Sequence, residues 1–341
     1  MNNKILVIGD MHWKEHLRYH EYVVGGRDGE RADVLQALVD SAQDCDTVVL
    51  VGDVFDVKNP PSSVVHMFTE FLERFGDKEV FIIAGNHEKF ADGKTALDYL
   101  KEVKNKKWNV ITDRVSIHGN MTFCPYFFKE ELGCKTHEEA TAKVMDMLQG
   151  GEILFSHHAV SDTITVTGQS TNLFPEVVLP KEQIESRYKL NIAGHIHKPA
   201  DYGRSIVTGC TMSNEVGDSE KFAWKITNRT EAITWEKISL PIRPIVKIEN
   251  PTVVELDKFT SNSIVKAVFT DKANQPTEEI KERLRQFDAF IILEQYPNER
   301  KKLTVSEGAM LDYSVEQLLD LYSKEKKVDK NKLLAAWELI K

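Results

Sequence analysis

Histidine, aspartate and asparagine side chains follow short apolar segments at five places in the chain. The five blocks are Asp10-Met11-His12, Gly52-Asp53 with Asp56, Gly85-Asn86-His87-Glu88, Ser156-His157-His158 and Gly194-His195-Ile196-His197. Side chains two residues apart on an extended segment point the same way, so Asp10 can share an ion with His12, as can the two histidines of the last block. Mixed His, Asp and Asn ligands suit Mn²⁺, Fe²⁺ or Zn²⁺ better than Ca²⁺. The blocks therefore indicate a site for divalent metal ions.

The same blocks favour two ions over one. The Asp53 carboxylate has two oxygens and is the expected bridge between the ions. Two cations about 3.5–4 Å apart clamp the attacking and leaving oxygens of a phosphoryl transfer. A glycine directly precedes Asp10, Asp53, Asn86 and His195, and it lets the backbone turn and come close to such a site. Metal-assisted phosphoryl transfer is the chemistry that this pattern predicts.

The segments before the blocks are predicted to be buried strands, and helices alternate with them. Apolar runs predict strands over 4–9, 46–53, 78–86, 151–158 and 188–197, with shorter strands over 108–124. Apolar spacing and terminal residues predict helices over 30–44, 62–76, near 95–103 and near 137–148. This alternation indicates an α/β core. Because ligands gather at the carboxyl ends of strands in open α/β sheets, we expect all five blocks on one rim.

The chain changes character after about residue 200. Strand-like segments dominate up to residue 240, and the proline-rich segment 241–251 is predicted to cross between domains. A small α+β unit follows, predicted from strands over 263–271 and 289–297, a helix over 276–287 and two amphipathic helices over 314–341. We therefore expect a core over residues 1–240 and an α+β domain over residues 241–341.

The composition of the chain indicates its cellular compartment and restricts the kinds of partner it can bind. A chain of 341 residues with 41% hydrophobic and 28% charged residues is typical of a globular protein with two domains, or one large domain with an appendage. No apolar stretch approaches the ~20 residues of a membrane helix, the N-terminus lacks a signal-peptide layout, and the four cysteines are scattered. These features predict a cytoplasmic protein with reduced thiols and no membrane partner. The net charge of −9 argues against tight stand-alone DNA binding.

The order of the five blocks resembles that of the calcineurin-like metallophosphoesterase superfamily: D-x-H, G-D-x-x-D, G-N-H-[DE], H and G-H-x-H. Within that superfamily, the segment GDVFDVKNPPS (52–62) is similar to the SbcD-type double-strand-break repair nuclease subunits, which include bacteriophage recombination nucleases. The superfamily resemblance spans residues 5–200, a little over half of the chain. It implies an α/β metallophosphoesterase core of two packed β-sheets flanked by helices, followed by a small α+β capping domain.

The resemblance also implies a role for each residue of the blocks. One ion would be held by Asp10, His12, Asp53 and His197, and the other by Asp53, Asn86, His157 and His195. His87 would be the catalytic histidine, which donates to the leaving oxygen or stabilises the charged phosphorane. Asp56 stands where some family members have a second histidine, so it is either part of the catalytic machinery or a loop residue that caps a turn. Glu88 replaces the usual aspartate and would reach His87, and His158 competes with His157 as the fourth ligand.

For function, the resemblance implies a Mn²⁺-dependent DNA nuclease subunit of recombination and double-strand-break repair, acting as an exonuclease or an endonuclease. The implied cofactors are two divalent ions, Mn²⁺ first and Mg²⁺, Fe²⁺ or Zn²⁺ as alternatives. The implied partners are single- and double-stranded DNA ends, an SMC-like ATPase and a second copy of the chain. A phosphatase or cyclic-nucleotide phosphodiesterase with the same metal site stays open, as does a non-catalytic scaffold. The loop over residues 13–31, with Lys14, Arg18, Arg27 and Arg31, either contacts a DNA backbone or is solvated.

Overall fold

The structure is a computed structural model, and it describes residues 3–23, 25–103, 107–165, 168–212, 220–229, 232–270, 274–295, 302–305 and 329. The strands, in chain order, are β1 (Asn3–Ile8), β2 (Thr47–Leu50), β3 (Glu79–Ile83), β4 (Trp108–Ile111), β5 (Ser116–His118), β6 (Met121–Cys124), β7 (Gly151–Ser156), β8 (Ala159–Val160), β9 (Val178–Leu179), β10 (Tyr188–Ala193), β11 (Ala200–Asp201), β12 (Ser205–Val207), β13 (Phe222–Asn228), β14 (Ile233–Ser239), β15 (Ile245–Glu249), β16 (Ile264–Phe269), β17 (Ala289–Glu294) and β18 (Lys302–Val305). The helices are α1 (Asp28–Ser41), α2 (Ser62–Glu73), α3 (Asp98–Glu102), α4 (His137–Met147), α5 (Lys181–Arg187), α6 (Val253–Leu256) and α7 (Glu278–Leu284). Within these described ranges, no helix has the length and apolar character needed to cross a membrane.

Two six-stranded sheets form the larger part of the described chain. The first sheet has the order β14-β13-β1-β2-β3-β4, and the second has the order β11-β12-β10-β7-β6-β5. Strands β1 to β4 run parallel in the first sheet, and strands β6, β7, β10 and β12 run parallel in the second. The parallel strands of each sheet therefore end at a common edge.

Alternate residues of the central strands pack on opposite sides, which buries both faces of each sheet. In β1, Ile5 and Val7 join the apolar layer between the two sheets, whereas Leu6 and Ile8 join the cluster formed with α1 and α2. In β7, Leu154 packs with α4 and α5 on the outer face of the second sheet. Strands that are buried on both faces require near-continuous apolar runs. The predicted fold class, two packed β-sheets flanked by helices, is confirmed.

The chain beyond residue 244 forms a separate four-stranded sheet with the order β15-β16-β17-β18. Strands β15, β16 and β17 are parallel, and β18 is antiparallel to β17. Helices α6 and α7 pack on this sheet through an apolar cluster that includes Val265, Phe269 and Leu284. This third sheet with its helices has the α+β character predicted for the C-terminal part, and the domain boundary at residue 240 stays a prediction.

Some short elements differ from their predictions. Segment 241–251 is predicted to cross between domains, but β15 lies within it and pairs with β16. The prolines of this segment lie outside β15, so none of them removes an amide that the strand needs to pair with β16. The strands β8, β9 and β11 and the helices α5 and α6 are too short to give a periodic pattern. The two helices predicted over 314–341 lie outside the described residues, apart from Asp329.

A buried ion pair connects the 13–31 loop with the chain that leads into β15. Arg27 is only 1% exposed and donates to both carboxylate oxygens of Glu30, at 2.9 and 2.5 Å, and to the Arg18 carbonyl. Arg243, two residues before β15, brings its Nε within 3.6 Å of the same Glu30 carboxylate. Arg27 is therefore a structural residue, and the hypothesis that it contacts a DNA backbone is wrong.

Candidate metal centre

The five sequence blocks meet at the edge where the parallel strands of both sheets end. Asp10, Asp53 and Asn86 lie just past the ends of β1, β2 and β3 in the first sheet. His157 and His195 lie just past the ends of β7 and β10 in the second sheet. Because both sheets deliver their carboxyl ends to the same place, side chains from distant parts of the chain converge on one rim.

We define the first ion position by Asp10, His12, Asp53 and His197, which each place one ligand atom within 4.8 Å of the others. His12 Nε2 and His197 Nε2 face each other at 2.9 Å. Asp10 Oδ2 is buried and has no hydrogen-bond partner among the described residues. A buried carboxylate oxygen without a partner, beside two converging imidazole nitrogens, fits a divalent cation.

We define the second ion position by Asp53, Asn86, His157 and His195. Ligand atoms of its carboxylate and its two histidines lie within 4.8 Å of one another. Asn86 Oδ1 lies 2.9 Å from His195 Nδ1 and 3.3 Å from His157 Nε2. Asp53 belongs to both positions, since Oδ1 is 3.3 Å from His157 Nε2 and Oδ2 is 3.8 Å from His12 Nε2. The chain therefore carries a clustered Asp/His metal-binding site whose two parts share one carboxylate.

Backbone amides of one block hold the carboxylates of another. The His87 amide donates to Asp53 Oδ1 at 2.9 Å, and the His195 amide donates to Asp10 Oδ1 at 3.1 Å. The amides of Met11 and His12 both donate to the Asp53 carbonyl, at 3.0 and 2.9 Å. These bonds fix each carboxylate before any ion binds, which is the preorganisation that a metal site requires.

Two of the glycines are required because ligand side chains occupy the space where a Cβ would lie. A Cβ on Gly85 would lie 2.2 Å from both the amide nitrogen and Oδ1 of Asp53. A Cβ on Gly52 would lie 2.2 Å from His157 Nδ1, and the φ of +94° at Gly52 also disfavours any side chain. The glycines of the blocks therefore let the ligand side chains pack directly against the backbone.

Three residues of the centre, His12, Asp53 and His195, have positive φ angles of 47°, 44° and 76°. Such angles are uncommon for residues with a side chain and cost on the order of 1–3 kcal/mol each. The hydrogen bonds between the blocks hold these residues in place. The centre therefore stores backbone strain, as functional sites often do.

The structure separates the two adjacent histidines of the fourth block. His157 donates from Nδ1 to the Val51 carbonyl at 2.5 Å, which leaves Nε2 facing Asp53 and Asn86. The His158 ring instead stacks on Tyr126, and its Nε2 accepts from the Phe127 amide at 3.3 Å. Only His157 of this pair lies in the metal cluster of the described residues, as we expect from its place at the strand end.

His87 and Asp56, the two proposed catalytic residues, lie together at the open side of the first ion position. The His87 ring is 39% exposed, and its Nδ1 donates to the Asp56 carbonyl at 3.1 Å. Its Nε2 lies 3.9 Å from Asp53 Oδ2. The Asp56 carboxylate lies 3.3 Å from His12 Nδ1 and 3.3 Å from Lys14 Nζ. Asp56 therefore contacts both a candidate ligand and the candidate catalytic histidine, which is more than the cap of a turn.

Glu88 does not contact His87 as expected. It is fully buried, its Oε1 accepts from the Gly85 amide at 2.7 Å, and its Oε2 has no hydrogen-bond partner among the described residues. Burial, followed by the Asp53 charge, raises the pKa of Glu88 to about 8. The extra methylene, compared with the aspartate of the resemblance, carries this carboxyl back to the turn that begins the block. Glu88 therefore stabilises the turn, and the predicted contact with His87 is wrong.

Ionised groups of the cluster depend on one another. Burial raises the pKa of the Asp53 carboxyl, but His157, His12 and His87 outweigh burial and hold that pKa well below its usual range. Burial also lowers the pKa of His157, and the Asp53 carboxylate outweighs it and raises that pKa to about 10. The carboxylates thus attract positive charge into a buried site, and a divalent cation can take the place of the imidazole protons.

Sequence reasoning missed two residues that contact the centre, Glu176 and Tyr126. Glu176 Oε1 lies 2.7 Å from His195 Nε2, and Tyr126 Oη donates to Glu176 Oε2 at 3.2 Å. Neither residue belongs to a block, and each lies in a segment without regular secondary structure. The sequence carries no spacing signal for such a contact, because it depends on how two separate loops pack.

Comparison with known families agrees with this geometry. The model of the family described as calcineurin-like phosphoesterase matches residues 3–199, more than half of the chain. The chain therefore belongs to the calcineurin-like phosphoesterase family, and it is a metal-dependent phosphoester hydrolase.

The matches to individual proteins cover less of the chain or have low sequence identity. The chain is 39% identical over 64 residues to the SbcD subunit of nuclease SbcCD from Bacillus subtilis (strain 168), a match that covers 17% of this chain and only 16% of the B. subtilis protein. Similar solved structures include a purple acid phosphatase from yellow lupin (Lupinus luteus) seeds, at 14% identity and a TM-score of 0.41, with 70% of this chain and 52% of that chain covered. A dimetal phosphatase from Danio rerio has the same identity and TM-score, with 70% of this chain and 96% of that chain covered.

Proposed function

We propose that the chain is the nuclease subunit of a DNA recombination and double-strand-break repair complex, with two Mn²⁺ ions as its cofactors. The observation that carries the proposal is a metal centre with two ion positions in a chain that matches part of a nuclease subunit at 39% identity. The second observation in its favour is the third sheet beyond residue 244, which matches the nuclease-plus-cap layout of the resemblance. The substrates are double- and single-stranded DNA ends.

The chain's own residues prepare a phosphodiester for in-line attack. When bound, divalent cations supply positive charge against the phosphate oxygens and activate the attacking water. Asp10, His12, Asp53 and His197 would hold one cation, and Asp53, Asn86, His157 and His195 the other. The backbone amides of His87 and His195 fix the two carboxylates, so the site needs little rearrangement when the substrate binds.

His87 is the candidate general acid. Its Nδ1–H donates to the Asp56 carbonyl, so Nε2 is the nitrogen that gives a proton to the leaving oxygen or takes one up. The ring is 39% exposed, which leaves it open to a substrate that approaches from the solvent side. Asp56 orients His87 through its carbonyl and His12 through its carboxylate.

The partners follow from charge and from the resemblance. A net charge of −9 gives the chain little attraction for a DNA backbone, so an SMC-like ATPase supplies the remaining DNA contacts. A second copy of the chain is the other partner, and it follows from the resemblance alone. The cytoplasm is the working compartment, in accord with Cys45, Cys124, Cys134 and Cys210 as free thiols.

The test is degradation of end-labelled double- and single-stranded DNA by the purified chain, with and without an SMC-like ATPase as the proposed partner. We expect Mn²⁺-dependent shortening of the labelled strand, and we expect EDTA to stop it. His87→Asn should lower the turnover number by about 10²–10⁴-fold, the range for loss of a general acid, while Mn²⁺ binding stays unchanged. The matched control is His66→Asn, which replaces an exposed histidine on α2 that belongs to none of the five blocks.

Parallel assays decide between the alternatives. Rapid turnover of p-nitrophenyl phosphate or a cyclic nucleotide, with DNA left intact in the presence of the ATPase, would replace the nuclease by a phosphatase or a cyclic-nucleotide phosphodiesterase. Unchanged DNA-repair function in cells that carry His87→Asn would favour a non-catalytic scaffold.

A further inference from the structure

A carboxylate that lies outside all five blocks contacts one of the candidate ligands. Glu176 Oε1 lies 2.7 Å from His195 Nε2, and the opposite nitrogen of the same ring, Nδ1, lies 2.9 Å from Asn86 Oδ1. The Glu176 side chain is 17% exposed and that of His195 is 12% exposed, so the contact is largely shielded from water. One side of the imidazole therefore faces a carboxylate and the other faces the second ion position.

This geometry decides which nitrogen of His195 is available to a cation. An ionised carboxylate can only accept a hydrogen bond, so the proton between Glu176 and His195 resides on Nε2. A neutral imidazole carries one proton, so Nδ1 keeps its lone pair and points it towards Asn86 Oδ1 and the second ion position. Histidine ligands of metal ions usually donate their other N–H to a carboxylate or carbonyl, which fixes the ring and strengthens it as a ligand.

We propose that Glu176 is a positioning residue for the second ion position, and that it acts by holding His195 as the Nε2–H form with Nδ1 directed at the cation. The inference rests on the metal centre that the proposed function requires, and it does not depend on DNA as the substrate. His157 donates to the Val51 carbonyl in the same way, so each histidine of the second ion position has an acceptor behind it.

Tyr126 holds Glu176 in turn. Its hydroxyl donates to Glu176 Oε2 at 3.2 Å, and its ring centroid lies 5.7 Å from that of His195. The backbone of Tyr126 is fixed as well, because its amide donates to the Ala84 carbonyl at 2.8 Å and its carbonyl accepts from the buried Lys89 Nζ at 2.7 Å. With one oxygen bound to Tyr126, the Glu176 carboxylate presents the other to His195 in a single orientation.

The experiment is a Mn²⁺ titration of the full chain after EDTA treatment, followed by calorimetry and by electron paramagnetic resonance at two equivalents of Mn²⁺. We expect the wild type to bind two ions and to give the signal of a magnetically coupled pair. Glu176→Gln keeps the shape but loses the charge, and it should weaken one of the two binding events by about 10–100-fold. At two equivalents, the variant should give the six-line signal of isolated Mn²⁺. Glu176→Ala should weaken the same event further.

Glu185→Gln is the matched control, because the Glu185 side chain is 18% exposed and accepts from Ser205 Oγ on the outer part of the second sheet. Tyr126→Phe should weaken the same binding event less than Glu176→Gln does. Circular dichroism of the EDTA-treated variants shows whether they fold. If Glu176→Ala does not fold, the Mn²⁺ binding of Glu176→Gln alone decides the question. Two binding events of wild-type affinity and a coupled signal in Glu176→Gln would overturn the assignment.

The outcome is separable from that of the nuclease assay. If the wild type binds two Mn²⁺ ions and leaves DNA intact, the proposed substrate fails and the role of Glu176 stands. If the wild type cuts DNA and Glu176→Gln binds both ions normally, the role of Glu176 fails and the proposed function stands.

Discussion

The two ion positions share Asp53 but differ in the origin of the carboxylate behind one of their histidines. At the first position, the Asp56 carboxylate lies 3.3 Å from His12 Nδ1, and it comes from the same sequence block as Asp53. At the second position, the Glu176 carboxylate lies 2.7 Å from His195 Nε2, and it comes from a loop with no motif. The same supporting contact is thus encoded locally in one half of the centre and by tertiary packing in the other.

A sequence displays the ligands of a metal site more clearly than the residues behind them. Ligands must follow strands at fixed spacings, because the sheet edge decides where they meet. A residue behind a ligand has no such constraint, since any loop that reaches the far side of the ring can supply it. The two contacts also differ in geometry. Glu176 lies within hydrogen-bond distance of His195 Nε2, whereas His12 Nδ1 makes no hydrogen bond that meets the usual distance and angle limits among the described residues.

The largest effect should come from the carboxylate that the two positions share. Asp53→Asn removes the charge that bridges them, and we expect both Mn²⁺ ions to be lost in calorimetry. Phosphodiesterase activity should fall by more than about 10³-fold, the upper range for loss of one preorganised electrostatic group. Asp44→Asn, which alters a half-exposed carboxylate paired with Lys4 and Lys225, is the control and should bind both ions. Retention of one ion at wild-type affinity in Asp53→Asn would show that the positions are independent.

A methyl group at Gly85 should disturb both positions through the backbone. The added Cβ would lie 2.2 Å from the Asp53 amide nitrogen. This backbone atom cannot move without also moving the Asp53 carboxylate that the two ion positions share. We expect Gly85→Ala to lower the free energy of unfolding by about 1–3 kcal/mol and to weaken the binding of both Mn²⁺ ions. Urea unfolding and Mn²⁺ calorimetry measure the two effects. Gly29→Ala, at an exposed position of α1 where a Cβ would meet nothing within 4 Å, should not lower the free energy of unfolding and should bind both ions like the wild type. Equal losses in the two variants would contradict the packing argument.

Replacing Asp56 or Glu176 should affect one ion position and leave the other unchanged. Asp56→Asn removes the charge behind His12, and we expect the first ion to bind about 10–100-fold more weakly while the second is unchanged. Glu176→Gln should give the reverse pattern. Crystals of each variant with limiting Mn²⁺ allow the occupancy of both positions to be read from anomalous scattering. Loss of the same ion in both variants would mean that the two positions are not separately supported.

The sequence predicted the fold well because strands follow from periodic patterns. The structure brings the candidate ligands together, and their assignment as ligands stays a prediction. The strands β1, β2, β3, β7 and β10 follow from apolar runs, and the blocks that end them assemble at one rim. The wrong predictions concern charged side chains in loops, where the sequence has no periodic pattern. Arg27 was a candidate for DNA contact, but it forms a buried pair with Glu30, and Glu88 binds the Gly85 amide and not His87. A charged side chain in a loop reveals its partner only when the loop is packed.

The smallest expected effect is the acid dependence of the Asp56 contact in EDTA-treated protein. Burial raises the pKa of Asp56, but His12 and Lys14 outweigh burial and lower it from 3.8 to about 2. Because this folded-state pKa lies below the unfolded value, the stabilisation is complete above about pH 4 and is lost as the pH falls from about 4 towards 2. The free energy of unfolding of the wild type relative to Asp56→Asn should therefore fall by about 1 kcal/mol between pH 5 and pH 3.

Urea unfolding of both proteins at pH 5, 4 and 3 measures this difference, and Asp33→Asn, at an exposed position of α1, provides the comparison. If the wild type and Asp56→Asn lose stability in parallel over this range, the Asp56 carboxylate does not interact favourably with His12 and Lys14. Its role would then rest on the carbonyl that accepts from His87, a bond that asparagine preserves. In that case the first ion position would have no carboxylate of its own behind His12, and the contrast with Glu176 at the second position would be greater.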